Sequence, residues 1–191
     1  MRRVLTALAL PAFVLLLGGC DRAADRQPAE HAAAETSLGM TTRQFARHFN
    51  REVPAVLAAM GVDEPEHMAR LYQLDPARLH PGQYEYVLDT QVGPTQTTLI
   101  GTLNKQGELR SVGVLLTDRT QAAHDAFLVC ANSAARSFMQ AAPDKLNTLV
   151  ERLASVALNN PGQRMTEVVA SQLLSVEVVP QGLLFQIQPQ Q

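Results

Sequence analysis

The chain has 191 residues, with 16 basic and 18 acidic side chains, a formal net charge of −2, 5% aromatic residues and no tryptophan. This balance argues against a nucleic-acid binder, which needs a clear basic excess, and so few aromatics count against sites that stack sugars or nucleotides. Cysteines are limited to Cys20 and Cys130, too few for a structural zinc site built on several thiolates.

In chain order, Arg2 and Arg3 form a positive head, and residues 4–17 form an apolar run broken only by Thr6 and Pro11. A charged start followed by a short apolar segment and small residues is the pattern of a secretory signal. The run falls short of the roughly 20 residues that span a bilayer as a helix. At its end, Leu17-Gly18-Gly19-Cys20 resembles the lipobox of bacterial lipoproteins, with a large aliphatic residue three before a cysteine and small residues between. Gly18 departs mildly from that pattern, Ala or Ser being more usual there. The resemblance implies that the Cys20 thiol receives a diacylglyceryl group, that cleavage makes Cys20 the first residue of the mature chain, and that its amine is acylated. Several acyl chains give lasting anchorage where one is marginal. Asp21 resembles the signal that retains lipoproteins of enteric bacteria in the inner membrane, which is favoured here over the outer.

This divides the chain into a leader (1–19), a tether (20–37) and one domain (38–191). Removing the leader takes two arginines with it and leaves the remainder more acidic. Residues 21–37 lack large apolar side chains and cannot bury enough surface to offset the entropy of ordering. As a coil they reach roughly 24 Å. With Cys20 lipidated, Cys130 has no intramolecular disulfide partner.

Thr41 and Gln44 fit a capping box, and Phe45, Phe49, Val53, Val56 and Met60 then follow at helical spacing. Pro54 is expected to kink or split this helix, and Gly61 to end it. A second short helix is expected over 65–73 with Met68, Leu71 and Tyr72 facing inward. The period then changes to two. An extended run carries Tyr84, Tyr86, Leu88, Gln91 and Val92, Gly93-Pro94 turns it, and 95–104 and 109–117 continue as a meander around a turn at 105–108. Residues 120–140 read as a helix with a stripe of Ala123, Phe127, Cys130, Ala134 and Phe138. Another helix starts at Pro143, has Leu146, Leu149, Val150, Leu153, Val156 and Ala157 inside, and stops at 159–162. Residues 168–179 and 183–188 form a hairpin around Pro180-Gln181-Gly182, while 168–174 fits strand or helix. The expected fold is α+β, an antiparallel sheet of about five strands with four or so helices packed on one face.

The candidate chemistry is sparse. Cys130 lacks a histidine on its own helix face, because His124 lies about 120° round, and it reads as a buried thiol. His31, His48, His67, His80 and His124 form no i, i+4 pair and no HExxH. No GxSxG, phosphate-binding loop or GxGxxG occurs. Asp63, Glu64 and Glu66 suit a helix N-terminus better than an acid/base pair. Arg43, Arg47 and Arg51 recur at spacing four, opposite the Phe45/Phe49 stripe. They form either a solvated face paired with acids such as Glu52 or a ridge for phosphate headgroups or an acidic partner. No catalytic, cofactor-binding or metal-ligating residue is assigned, and no cofactor is expected. The reading is a non-enzymatic periplasmic lipoprotein, a binding or accessory module of the envelope with an envelope-protein partner, one version being an inhibitor or immunity protein. The alternative is a periplasmic enzyme whose site is assembled from scattered polar residues.

Overall fold

The computed structural model describes residues 36–81, 87–95, 97–139 and 142–190. The chain enters the fold beside a strand: Leu38 donates its N–H to Leu109 O at 2.7 Å, and Leu109 donates back to Met40 O at 2.8 Å. Helix α1 (Thr42–Ala59) follows, opened by the expected capping box, with the Thr41 side chain accepting from Gln44 N and the Gln44 side chain accepting from Thr41 N. It ends where Gly61 adopts φ +76. There Gly61 N–H bonds Ala58 O and Val62 N–H bonds Leu57 O, the paired closure that a left-handed residue just past the last turn permits.

Of the expected kink or split at Pro54, the split does not occur, and α1 runs through it. One lost backbone bond and a ring clash cost about 3 kcal/mol. Against that, Phe45, Phe49, Val53 and Val56 are each fully buried, and each contributes about 1.5–3 kcal/mol. The second helix is also shorter than expected: an α turn, α2 (Pro65–Met68), runs on as a 3-10 turn, Ala69–Tyr72. With three residues per turn, Ala69 and Tyr72 align on the buried side and Leu71 is left 51% exposed, against the expectation that it faces inward. Glu64 stands at the N-cap position of α2, without a side-chain capping bond, and Glu66 lies in its first turn, so both are charges at a helix N-terminus, as expected.

Among the described residues the sheet holds seven strands, against about five expected, in the order β1-β2-β3-β4-β7-β6-β5, all neighbours antiparallel. The strands are β1 (His80–Pro81), β2 (Val87–Val92), β3 (Thr97–Leu103), β4 (Leu109–Leu116), β5 (Met165–Val169), β6 (Gln172–Val179) and β7 (Gly182–Pro189). The expected Tyr84 and Tyr86 lie outside the described residues. Between the two meanders, α3 (Gln121–Phe138) and α4 (Pro143–Asn159) cross the sheet, so that β7 returns to pair with β4. The architecture is α+β.

The run at 168–179 is two strands rather than one. Ala170 (φ 48) and Ser171 (φ 65) form a tight turn in which both residues are left-handed, a geometry that sequences usually mark with Asn or Gly. One face of the sheet carries the core. Leu99, Val114, Phe185 and Val176 stand side by side across four strands, each 0% exposed, and α3 and α4 cover this face. Helix α1 forms a further layer, packed chiefly on α3. This explains why α3 is buried almost all round from Ala126 to Ala135 rather than along one stripe. Phe45 of α1 stacks on Phe138 of α3 with centroids 5.3 Å apart. Arg136 of α3 donates to Glu52 of α1 at 3.0 Å. Asn50 of α1 accepts from Leu74 N at 2.7 Å and donates to Leu74 O at 2.9 Å, fastening the chain that follows α2.

Candidate functional site

The lipidation residue Cys20 lies outside the described residues. Arg43, Arg47 and Arg51 all stand exposed on α1. Arg51 is neutralised, its Nε lying 3.2 Å from Glu52 Oε1, with His48 Nδ1 3.4 Å from its guanidinium. Glu52 is otherwise committed to Arg136, at 3.0 Å. Arg43 and Arg47 form no ion pair among the described residues. The basic ridge is thus two free charges at the N-terminal half of α1 and one paired charge further on. The two free arginines lie at the end of the molecule where the chain enters at Ser37–Met40, since Thr41 itself bridges to Glu108 at the β3–β4 turn.

Cys130 is 0% exposed, and burial pushes its thiol up to about 12. A nucleophilic thiol needs the opposite shift and access to solvent. Among the described residues no group of three or more His, Cys, Asp or Glu side chains could hold a metal ion, and no helix is long and apolar enough to cross a membrane.

The helices create one polar cleft that sequence reasoning missed. It has a volume of about 550 Å³ and lies between α3, α4 and the C-terminal end of α1. Asp125 on α3, with Asp144 and Glu151 on α4, sits at its exposed rim, and half-buried His124 faces it as well. Gln121 donates to Asp125 Oδ1 at 2.7 Å, while Asp144 and Glu151 form no ion pair among the described residues. Asn132 on α3 and Asn147 on α4 also line it. Asn132 is 2% exposed and donates its amide to Leu128 O at 3.0 Å. That bond turns Oδ1 away from Leu128, and Oδ1 is buried without a partner, as is Oδ1 of Asn147. Buried polar atoms are nearly always satisfied, so two unpaired acceptors on facing helices are unusual; both oxygens are shut off from solvent rather than open to the cleft. The available signal in the sequence was the pair Asn132-Ser133 interrupting an otherwise apolar stretch of α3.

A second hollow of about 480 Å³ lies where Leu116, Leu158, Val178 and Leu183 meet. Its lining is mainly apolar but includes Asp118, Arg119 and His124, and Leu158 within it is 49% exposed.

The chain matches no protein-family model, no curated protein and no solved structure.

Proposed function

We propose that the protein is a lipid-anchored module of the bacterial envelope, facing the periplasm and acting by binding rather than by catalysis. The observation that carries this reading is the junction Leu17-Gly18-Gly19-Cys20 behind a charged, short apolar leader. Asp21 favours retention at the inner membrane. The position of unpaired Arg43 and Arg47, at the end where the tether joins the domain, supports it: these are the charges an anchored domain would turn toward anionic headgroups. An envelope protein partner is part of the proposal.

The cleft gives the enzymatic alternative its best footing, because it gathers His124 with carboxylates. His124 and Asp125 are neighbours on one helix, however, and diverge by about 100°. Asp125 is already held by Gln121. The Thr148 hydroxyl, which also lines the cleft, is committed to Asp144 O at 2.9 Å, and among the described residues no group of three or more His, Cys, Asp or Glu side chains could hold a metal ion, so binding is the stronger reading.

Growth with labelled palmitate, comparing the parent with Cys20→Ser, tests the anchor. The parent should incorporate label and the variant should not. Equal absence of label from both would overturn the reading.

A further inference from the structure

The two edges of the sheet differ. Among the described residues β1 is a two-residue strand ending in Pro81, and shortness and proline both blunt an edge. At the other edge β5 is five residues long, contains no proline and has no strand on its outer side among the described residues. The turn at Ala170-Ser171 fixes which of its backbone groups are free. A two-residue hairpin closes on a pair that exchanges both backbone bonds, here Val169 and Gln172. Bonding then alternates along the ladder, through Glu167–Leu174 and Met165–Val176. Thr166 and Val168, with Arg164 just before the strand, therefore turn their N–H and C=O groups outward. No backbone bond outside the sheet and helices reaches residues 164–169 among the described residues. Apolar side chains flank this edge on both faces of the sheet. Arg152 of α4 reaches Glu167 at 3.2 Å, so the α4 stripe that carries Arg152 faces β5. Val156, one turn on in that stripe, is 38% exposed, and Val168, on the opposite face of the sheet, is 46% exposed. Glu167 is the only charged side chain of β5, and Arg152 holds it.

We propose that β5 is a dimerisation edge, on which a second copy of this chain lays its own β5 antiparallel and joins the two sheets into one. An open edge is completed by another strand, and this strand is its own antiparallel complement. A two-fold axis through Thr166 pairs Thr166 with Thr166 of the copy, and Arg164 with Val168 of the copy, through their outward backbone groups. Met165 then stands opposite Glu167 of the copy. An axis through Glu167 would set two carboxylates directly opposite each other. An axis through Val168 would bring Thr166 onto Ala170, whose φ of 48 takes the chain out of the strand. With the axis at Thr166, α4 of each copy lies on the same side of the joined sheet, because α4 covers β5 and β6, and the Val156 stripes face each other across the joint. The proposal goes beyond membrane anchoring and does not depend on it, since every residue it uses lies in the folded domain.

Sedimentation velocity and oxidative cross-linking test it, on the full-length chain carrying Cys20→Ser in a non-ionic detergent. The parent should pass from monomer to dimer as its concentration rises through the micromolar range. Thr166→Lys changes an exposed side chain and sets two like charges opposite each other only in the dimer. Val168→Pro removes an N–H that the β5–β6 ladder does not use, a place where an edge strand tolerates proline. Each should weaken dimerisation by roughly tenfold or more while the parent's circular dichroism is kept. Thr166→Cys should cross-link on oxidation far faster than Val168→Cys, because residue 166 alone meets its own copy. A parent that stays monomeric would overturn the proposal, including one that takes up another protein's strand at β5 instead. So would dimerisation unchanged in the folded Thr166→Lys chain, or cross-linking of Thr166→Cys no faster than that of Val168→Cys.

Discussion

Arg136 donates Nε to Oε2 of Glu52 at 3.0 Å, and one terminal nitrogen lies 3.0 Å from the same oxygen, with the two side chains only 12% and 17% exposed. This pair pins α1 to α3, and it also decides the surface chemistry of α1. Glu52 turns toward α3, so of the three ridge arginines it neutralises only Arg51, through its other oxygen. Removing one partner of a largely buried pair strands the other charge. Glu52→Ala should therefore destabilise the domain by about 2–3 kcal/mol. Chemical denaturation with an unchanged slope would show this, whereas a loss below about 0.5 kcal/mol would mean that the pair behaves as an ordinary surface contact.

The free arginines predict lipid dependence. On a Cys20→Ser chain, Arg43→Glu/Arg47→Glu should sharply reduce binding to anionic vesicles, since each basic residue near such a surface contributes about 1 kcal/mol. Parent binding should also fall as salt rises. Sedimentation with phosphatidylglycerol vesicles measures both, and no binding by the parent would end the headgroup role of the ridge.

Cys130 and Tyr72 predict alkaline sensitivity. Burial raises the Cys130 thiol from 9.0 to about 12. Burial first, then nearby Cys130 and Asp125, raises the Tyr72 phenol from 10.0 to about 12. Both folded values lie above the unfolded ones, so the folded state holds its protons more tightly. The associated stability is complete below about pH 9 and is lost as pH rises toward about 12. Denaturation midpoints should be flat from pH 7 to 8.5 and fall above that. In the Cys20→Ser chain, iodoacetamide should leave Cys130 unmodified at pH 8 until the protein is denatured.

Gly182 and Gly162 predict contrasting costs. Gly182 has φ +147, and a Cβ there would lie 1.9 Å from Leu116 O, within the β4–β7 pairing. Neither backbone can yield without breaking the sheet, so Gly182→Ala should cost more than about 3 kcal/mol or abolish folding. Gly162 has φ +89 with nothing within 4 Å of a Cβ. Gly162→Ala should cost only its backbone strain, about 1–2 kcal/mol. Equal losses in thermal melts would refute the steric argument.

Asn50 predicts local rather than global loosening. Its amide satisfies both backbone groups of Leu74, a residue 3% exposed. Asn50→Ala leaves both unpaired, at about 2–3 kcal/mol. Hydrogen exchange should quicken across residues 65–79 while β3 and β4 stay protected.

Local rules made the elements legible. The capping box at Thr41, the closure at Gly61, the proline start of α4 and the extended run at 95–104 that becomes β3 each depend on a few neighbouring residues, and each stands where the pattern placed it. The Ala170-Ser171 turn escaped because the hairpin holds two ordinary residues at positive φ without a glycine to announce it. The helix through Pro54 escaped because burial of a whole helix face against α3 outweighs one local rule. Arrangement in space was decided only by tertiary structure. Residues 52 and 136 are 84 positions apart, and Asn132 and Asn147 line one cleft because α3 and α4 pack on each other. No periodicity in sequence encodes which polar atoms will be left without partners when two helices close, because that depends on the packing of every side chain between them.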